Sequence, residues 1–168
     1  MRKLVLLMSL VAAVLLTAGC TEQFLGNATS SNSGSGDSNV VKITQLEQIN
    51  TSLQKGPVLL KMGSRWCPHC RSMKPVLERL AVENGKNATI ASIDVDQNPE
   101  LAEYFGVGVI PDSCVITGIE NGTYVYMQED GNISTDRAKA RMVGFNSTDA
   151  NNDDEKRLEK VLNFALLR

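Results

Sequence analysis

From Val40 onward, short continuous apolar runs alternate with segments whose apolar residues fall three and four apart. The first pattern marks buried strands and the second amphipathic helices. Leu46, Ile49 and Leu53, preceded by a Thr44/Glu47 capping box, predict a helix over 44–54 that Gly56-Pro57 ends. Val58–Met62 is an apolar run with Lys61 inside it, bounded by turn residues, and predicts a buried central strand. It leads into Gly63-Ser64-Arg65-Trp66. Met73, Val76, Leu77 and Leu80 then share one helical face, with a kink predicted at Pro75 and a stop at Asn84-Gly85. Thr89–Val95 predicts the next strand, and Asn98-Pro99 opens a helix reaching about Phe105. Ser113–Glu120 and Thr123–Gln128 flank Asn121-Gly122, a two-residue hairpin signal. Asp130–Asp136 reads as a polar loop, Ala140–Phe145 as a strand, and Asp153–Leu167 as a closing amphipathic helix with acids at its start. Together these predict an α/β fold, a mixed sheet covered by helices on both faces.

The first 39 residues follow neither rhythm. Arg2 and Lys3 precede an apolar stretch from Leu4 to Ala18, closed by Ala18-Gly19 and Cys20. The stretch is shorter than the roughly 20 residues a bilayer crossing needs, and its order is that of an export signal over 1–19. A cysteine at this place resembles the lipobox of prokaryotic lipoproteins, which makes Cys20 the expected lipidation site. Ordinary cleavage or an uncleaved anchor are the alternatives, and all three place the domain outside the cytoplasm. Residues 20–39, rich in Ser, Gly and Asn, then form a flexible tether to a domain over 40–168. Asn27, Asn50, Asn87, Asn121, Asn132 and Asn146 head candidate N-glycosylation sequons. Sequons combined with a lipoprotein-type leader point to an archaeal cell surface.

Composition narrows the function classes. Lys and Arg number 17 against 19 Asp and Glu, a net charge of -2, so no basic stripe announces nucleic acid. The four cysteines, Cys20, Cys67, Cys70 and Cys114, are too few and uneven for a disulfide-stapled miniature fold.

Cys67-Pro68-His69-Cys70 falls where the central strand ends and a helix begins. A helix's first turn presents unpaired N–H groups and the positive end of its dipole, which stabilise a thiolate at Cys67. Two intervening residues let the sulfurs close into a small ring, and Pro68 sits where no N–H is needed. Cys67 is the expected exposed attacker and Cys70 the resolving thiol. His69, the only histidine, would favour the reduced form and so make the disulfide a stronger oxidant; Arg65, Arg71 and Lys74 add positive potential. A structural zinc site needs about four ligands, for which only Cys114, Cys20 and His69 remain. Haem attachment needs a histidine where Arg71 stands. Copper transfer by the dithiol and an inert structural disulfide stay open.

Trp66-Cys67-x-x-Cys70, Lys74-Pro75, the run Ile93-Asp94-Val95-Asp96-Gln97-Asn98-Pro99 and Gly106-Val107-Gly108-Val109-Ile110-Pro111 together resemble the thioredoxin superfamily in type and order. The interval from Cys70 to Pro111 matches the compact layout, without the helical insert of the larger DsbA-type oxidants, although those favour the Pro68-His69 dipeptide. The resemblance implies a cis proline at Pro111, substrate docking on the Ile110 backbone, a surface shaped by Trp66, and close partner approach at Gly144. It implies a monomeric enzyme whose cofactor is its own Cys67–Cys70 disulfide, with protein thiols and disulfides as substrates and an extracytoplasmic or membrane redox partner. A peptide- or copper-binding module on the same scaffold is the alternative. Three departures stand out. Lys61 occupies the place of a buried acid and is expected either to favour thiolate or, preferentially, to pair with Asp94. Asp112 replaces a threonine after the proline and puts negative charge near the site. The segment between Pro111 and Gly144 is long, and an extended hairpin and polar loop there is expected to add a recognition surface. Cys114 is expected to face the core.

Overall fold

The computed structural model describes residues 39–146, 148 and 150–168. The export signal, Cys20, Asn27 and nearly all of the tether lie outside them. No helix among the described residues is long and apolar enough to cross a membrane.

Among the described residues seven strands form one mixed sheet. β1 (Val41–Lys42), β2 (Val58–Gly63) and β3 (Thr89–Asp94) run parallel in the order β1-β3-β2, and β4 (Asp112–Glu120) joins β2 antiparallel. β5 (Thr123–Met127) returns from β4 through Asn121 and Gly122, both at positive φ (50° and 78°), the backbone of a type I′ turn. The predicted polar loop contains a two-residue edge strand, β6 (Ile133–Ser134), on β5, followed by a 3-10 turn over Arg137–Ala140. The strand predicted over 140–145 shrinks to β7 (Met142–Val143), which pairs with the start of β4.

The helices cover both faces, as the alternating pattern predicts. α1 (Leu46–Leu53) and α4 (Pro99–Tyr104) cover a core built on Leu60, Met62, Ile93 and Ile116, with Ile49 and Leu101 inserted. α3 (Lys74–Asn84) and α5 (Asp153–Leu166) cover the opposite core of Leu59, Ile90, Val115 and Met127, with Leu77, Leu80, Leu158 and Leu162 inserted. Arg79 pins α3 to α5 through Glu155 and Glu159. The capping box of α1 lies one residue later than predicted: Gln48 Oε1 accepts from the N–H groups of Thr44 (2.7 Å) and Gln45 (3.1 Å). Pro75 interrupts the helix at the expected kink, and Met73 between the two pieces keeps right-handed helical backbone. The proline has no N–H to offer Arg71, so the short α2 (Pro68–Ser72) ends and α3 begins around Met73.

The pleat decides which residues can meet. Odd-numbered positions of β2, namely Leu59, Lys61 and Gly63, face the α3 and α5 side, whereas Leu60 and Met62 face α1 and α4.

Candidate active site

β2 ends at Gly63 and the chain turns sharply into α2. Ser64, almost wholly buried, fixes that turn by donating to Asp96 Oδ2 (2.5 Å) while its Oγ accepts from the Trp66 N–H (3.3 Å). From the next helical turn, Arg71 Nη1 donates to the carbonyls of Arg65 (3.2 Å) and Trp66 (2.9 Å). Held this way, the Trp66 side chain projects outward at 66% exposure, which excludes core filling. Cys67 caps α2, and its Sγ accepts the Cys70 N–H at 3.3 Å. Pro68 occupies the first helical turn. Both cysteines are free thiols. The expected difference in their exposure is absent: each is 4% exposed, because Cys67 lies beneath the 107–111 loop with its thiol directed at the Ile110 carbonyl 3.9 Å away.

Three segments meet over these sulfurs. The Ile110–Pro111 peptide is cis. Gly144, at φ 84°, donates its N–H to the Pro111 carbonyl (2.8 Å), joining β7 to that loop. His69 Nδ1 lies 2.9 Å from the Phe145 carbonyl, an acceptor only, so Nδ1 carries the proton and donates, and Nε2 is left facing outward. The imidazole thus ties α2 to the residue after Gly144 and is not a loosely solvated side chain. Trp66, Val109 and Val143 are exposed apolar residues on the three segments. Two surface clefts, of about 650 and 400 Å³, lie elsewhere and include neither cysteine.

Beneath the sulfurs the structure corrects one expectation. Asp94 is taken by Arg65 (Nε–Oδ2 3.4 Å), and Lys61 forms no ion pair among the described residues. Lys61 turns toward Cys70 instead. A β-carbon placed on Gly63 would lie 2.6 Å from Cys70 Sγ and 2.7 Å from Lys61 Nζ, so thiol and ammonium share the space that a side chain would fill. The two atoms are thus at most about 5 Å apart, and unit charges at that separation interact by roughly 3 kcal/mol at an effective dielectric of about 20. Burial pushes the Cys70 thiol up to about 11, and the hydrogen bond with Cys67 adds to the rise; the Ser64 backbone and the Lys61 charge pull the other way.

The negative charge expected near the site from Asp112 is met by two arginines. The carboxylate is fully buried on the α1 and α4 side of β4, between Arg137 (2.7 Å) and Arg141 (2.8 Å), which neutralise it. Arg137 also donates to the Phe105 carbonyl (2.5 Å). Neither arginine figured in the sequence reading. The signal for them was a carboxylate opening a buried strand, which demands a cation. Lys74 is largely exposed and pairs with Glu78 (3.5 Å), so its charge is compensated away from the sulfurs. Cys114 is completely buried in the core against α1 and α4.

A family model described as thioredoxin matches residues 40–140. The chain belongs to the thioredoxin family. The thioredoxin of Alicyclobacillus acidocaldarius is 40% identical over 62 residues, covering 37% of this chain and 59% of that protein; a Mycobacterium tuberculosis thioredoxin is 46% identical over 55 residues, 33% of this chain and 47% of that protein. The aligned segment thus spans only about half the length of these curated relatives. Among solved structures, a Nicotiana alata thioredoxin superposes with a TM-score of 0.54 at 21% identity, over 79% of this chain and 98% of that one. A mutant thioredoxin from Halobacterium salinarum gives 0.53 at 21%, over 79% and 96%. These establish the fold: the mixed sheet, the helices on both faces and the strand-to-helix turn that carries the cysteines.

Proposed function

We propose that this chain is an extracytoplasmic, membrane-anchored thiol–disulfide oxidoreductase that exchanges its Cys67–Cys70 pair with cysteines of partner proteins. The carrying observation is the pair itself: Cys67 caps α2 under the Ile110 carbonyl, with Cys70 directly behind it donating its N–H to the Cys67 sulfur. In the oxidising direction a substrate thiolate attacks Cys67 Sγ, the Cys67–Cys70 bond breaks, and its electron pair leaves on Cys70. A second substrate thiolate then attacks the substrate sulfur of the mixed disulfide, releasing an oxidised substrate and a Cys67 thiolate. The reducing direction reverses these steps. The electron-carrying group is the cysteine pair, with no added cofactor.

The exposed apolar side chains of Trp66, Val109 and Val143 suit an extended protein segment as substrate. The Ile110 N–H donates to no group among the described residues and is available to a substrate carbonyl. Pro68-His69 and a lysine in place of an acid favour oxidation, with regeneration by an extracytoplasmic or membrane disulfide oxidant. Export through residues 1–19 and an anchor at Cys20 complete the reading. Asn87, Asn121, Asn132 and Asn146 are all exposed, as sequons require; Asn50, also exposed, lies within α1 and accepts from the Tyr124 hydroxyl (2.7 Å).

The test is insulin disulfide reduction together with trapping by Cys70→Ser and a glutathione titration of the potential. Wild-type turnover and accumulation of mixed disulfides on Cys67 are expected, with a potential near those of strong oxidants. An inactive wild type whose Cys70→Ser variant traps nothing would overturn the enzymatic reading in favour of a peptide- or copper-binding module. Labelled lipid that still enters a Cys20→Ser variant would overturn the anchor.

A further inference from the structure

Lys61 has an unusual position for a charged residue. It sits in the central strand, and its register partners are Ser92 on β3 and Ser113 on β4, both uncharged. Its side chain points to the α3 and α5 face of the sheet, the side that also holds Met73 and Cys70. The nearest carboxylate positions are occupied by other partners. Asp94 lies opposite Gly63 and is bound by Arg65, while Asp112 lies on the other face of the sheet, between Arg137 and Arg141. Gly63 leaves open the space in which Lys61 Nζ and Cys70 Sγ come together.

We propose that Lys61 is a positioning residue for disulfide exchange: its ammonium, admitted by the bare backbone of Gly63, stabilises the Cys70 thiolate whenever that thiolate leaves or attacks Cys67. This rests on the exchange reading above and deepens it by naming what supports the inner sulfur. An ammonium cannot accept the Cys70 proton. It therefore does not act as a base in the reducing direction, and its contribution falls on the step in which Cys70 departs as an anion. When the substrate thiolate bonds to Cys67, the electron pair of the broken bond arrives on Cys70 Sγ with the positive charge already in place. A better leaving thiolate leaves faster, so the residue accelerates reaction of the oxidised protein with substrate thiols. In the resting dithiol Cys70 keeps its proton at neutral pH, because burial holds its thiol up at about 11. The benefit is accordingly kinetic, and the equilibrium potential owes little to Lys61. The titratable or charged groups facing Cys70 are Cys67 from its own helix and Lys61 from β2; His69 turns away to Phe145.

The experiment uses the oxidised full chain and glutathione as the attacking thiol, followed by rapid mixing, with Lys61→Met and Lys61→Arg. Lys61→Met is expected to slow the first attack about tenfold, the effect of roughly two units in leaving-group acidity, and Lys61→Arg to restore most of the rate. A second measurement does not depend on turnover. In a Cys67→Ala background, with Cys67→Ala/Cys70→Ala as the blank, thiolate absorbance reports Cys70 alone, and Lys61→Met is expected to move its midpoint upward by at least about one unit. Unchanged rate and unchanged midpoint in Lys61→Met overturn the proposal, as does equal slowing by Met and Arg, which would mark a packing role. A wild-type disulfide inert to glutathione sinks the exchange reading itself, and the Cys70 midpoint then still decides whether Lys61 acts on that sulfur.

Discussion

Replacing Asp112 by Asn removes one negative charge from a place without water. The carboxylate is fully buried; Oδ1 accepts from Arg137 Nη2 at 2.7 Å, and Oδ2 accepts from Arg141 Nε at 3.0 Å and Nη2 at 2.8 Å. Asn keeps one acceptor, but its NH₂ group meets the donors of the other arginine. Arg141 is 29% exposed and recovers part of its loss from water, whereas Arg137 is 10% exposed and cannot. Leaving one member of a buried pair uncompensated costs about 3–5 kcal/mol, a large share of the roughly 5–15 kcal/mol that holds a domain folded. Urea unfolding of Asp112→Asn should therefore show a loss of that size, while the apolar double replacement Asp112→Leu/Arg137→Met should lose much less. Alkylation of Cys67 by iodoacetamide in the folded fraction should proceed at the wild-type rate, since Asp112, in register with Met62, lies on the α1 and α4 face of the sheet and its partners are Arg137 and Arg141. A loss below about 1 kcal/mol, or a several-fold rise in Cys67 reactivity, would refute the reasoning: the first would mean the cluster is wet, the second that Asp112 acts on the sulfurs.

Gly63→Ala should destabilise the chain by about 1–3 kcal/mol through overpacking, because the new methyl would lie 2.6 Å from Cys70 Sγ. It should also raise the Cys70 midpoint as Lys61→Met does, by displacing the ammonium; wild-type stability in urea would contradict the close approach. Burial raises the Cys114 thiol from 9.0 to about 11. The native state thus holds that proton more tightly than the unfolded chain, so the stability it contributes is complete below pH 9 and is lost as pH climbs toward 11. Two units correspond to about 3 kcal/mol. In the oxidised protein, where Cys70 cannot titrate, the fall should begin near pH 9 and be absent in Cys114→Ala. Tyr124, raised from 10.0 to about 12 chiefly by burial, adds its own loss only at higher pH. A flat wild-type profile between pH 9 and 10 would contradict the assignment.

The sheet was legible because its central strands are apolar runs and its helices keep their spacing: β2, β3, α4 and α5 stand within a residue or two of their predicted limits. The edge elements were harder to read. β6 has only two residues, Ile133 opposite Met127 and Ser134 opposite Tyr126, too few to show an alternation. β7 is cut short on one side by Gly144 at positive φ and on the other by the turn that brings Arg137 and Arg141 onto Asp112. At the site, the cysteine pair and its place at a strand-to-helix turn were readable from local spacing. The partner of Lys61 was not. Two cations, Arg65 and Lys61, could reach Asp94, and only the three-dimensional course of the turn gives it to Arg65.

The two charged departures from the family pattern are separated by the pleat, and this defines the role of the long segment before Gly144. Lys61 and Asp112 lie on adjacent strands, but Asp112 pairs with Met62, one residue past Lys61. Their side chains therefore leave the sheet on opposite faces, so the carboxylate cannot quench the lysine and the lysine cannot neutralise the carboxylate. Each needs a separate answer. For Lys61 it is the Cys70 sulfur across the gap at Gly63. For Asp112 it is Arg137 and Arg141, both supplied by the long segment between Pro111 and Gly144. That segment acts first as a clamp. Its arginines hold the opening residue of β4 directly after Pro111, while β7 returns the chain so that Gly144 binds the Pro111 carbonyl and Phe145 receives His69. The loop over Cys67 is thus braced from below by a buried ion cluster and from the side by two hydrogen bonds. Losing the hydrogen bonds at Gly144 and Phe145 should blunt the site through its geometry, leaving the chemistry of the two sulfurs intact.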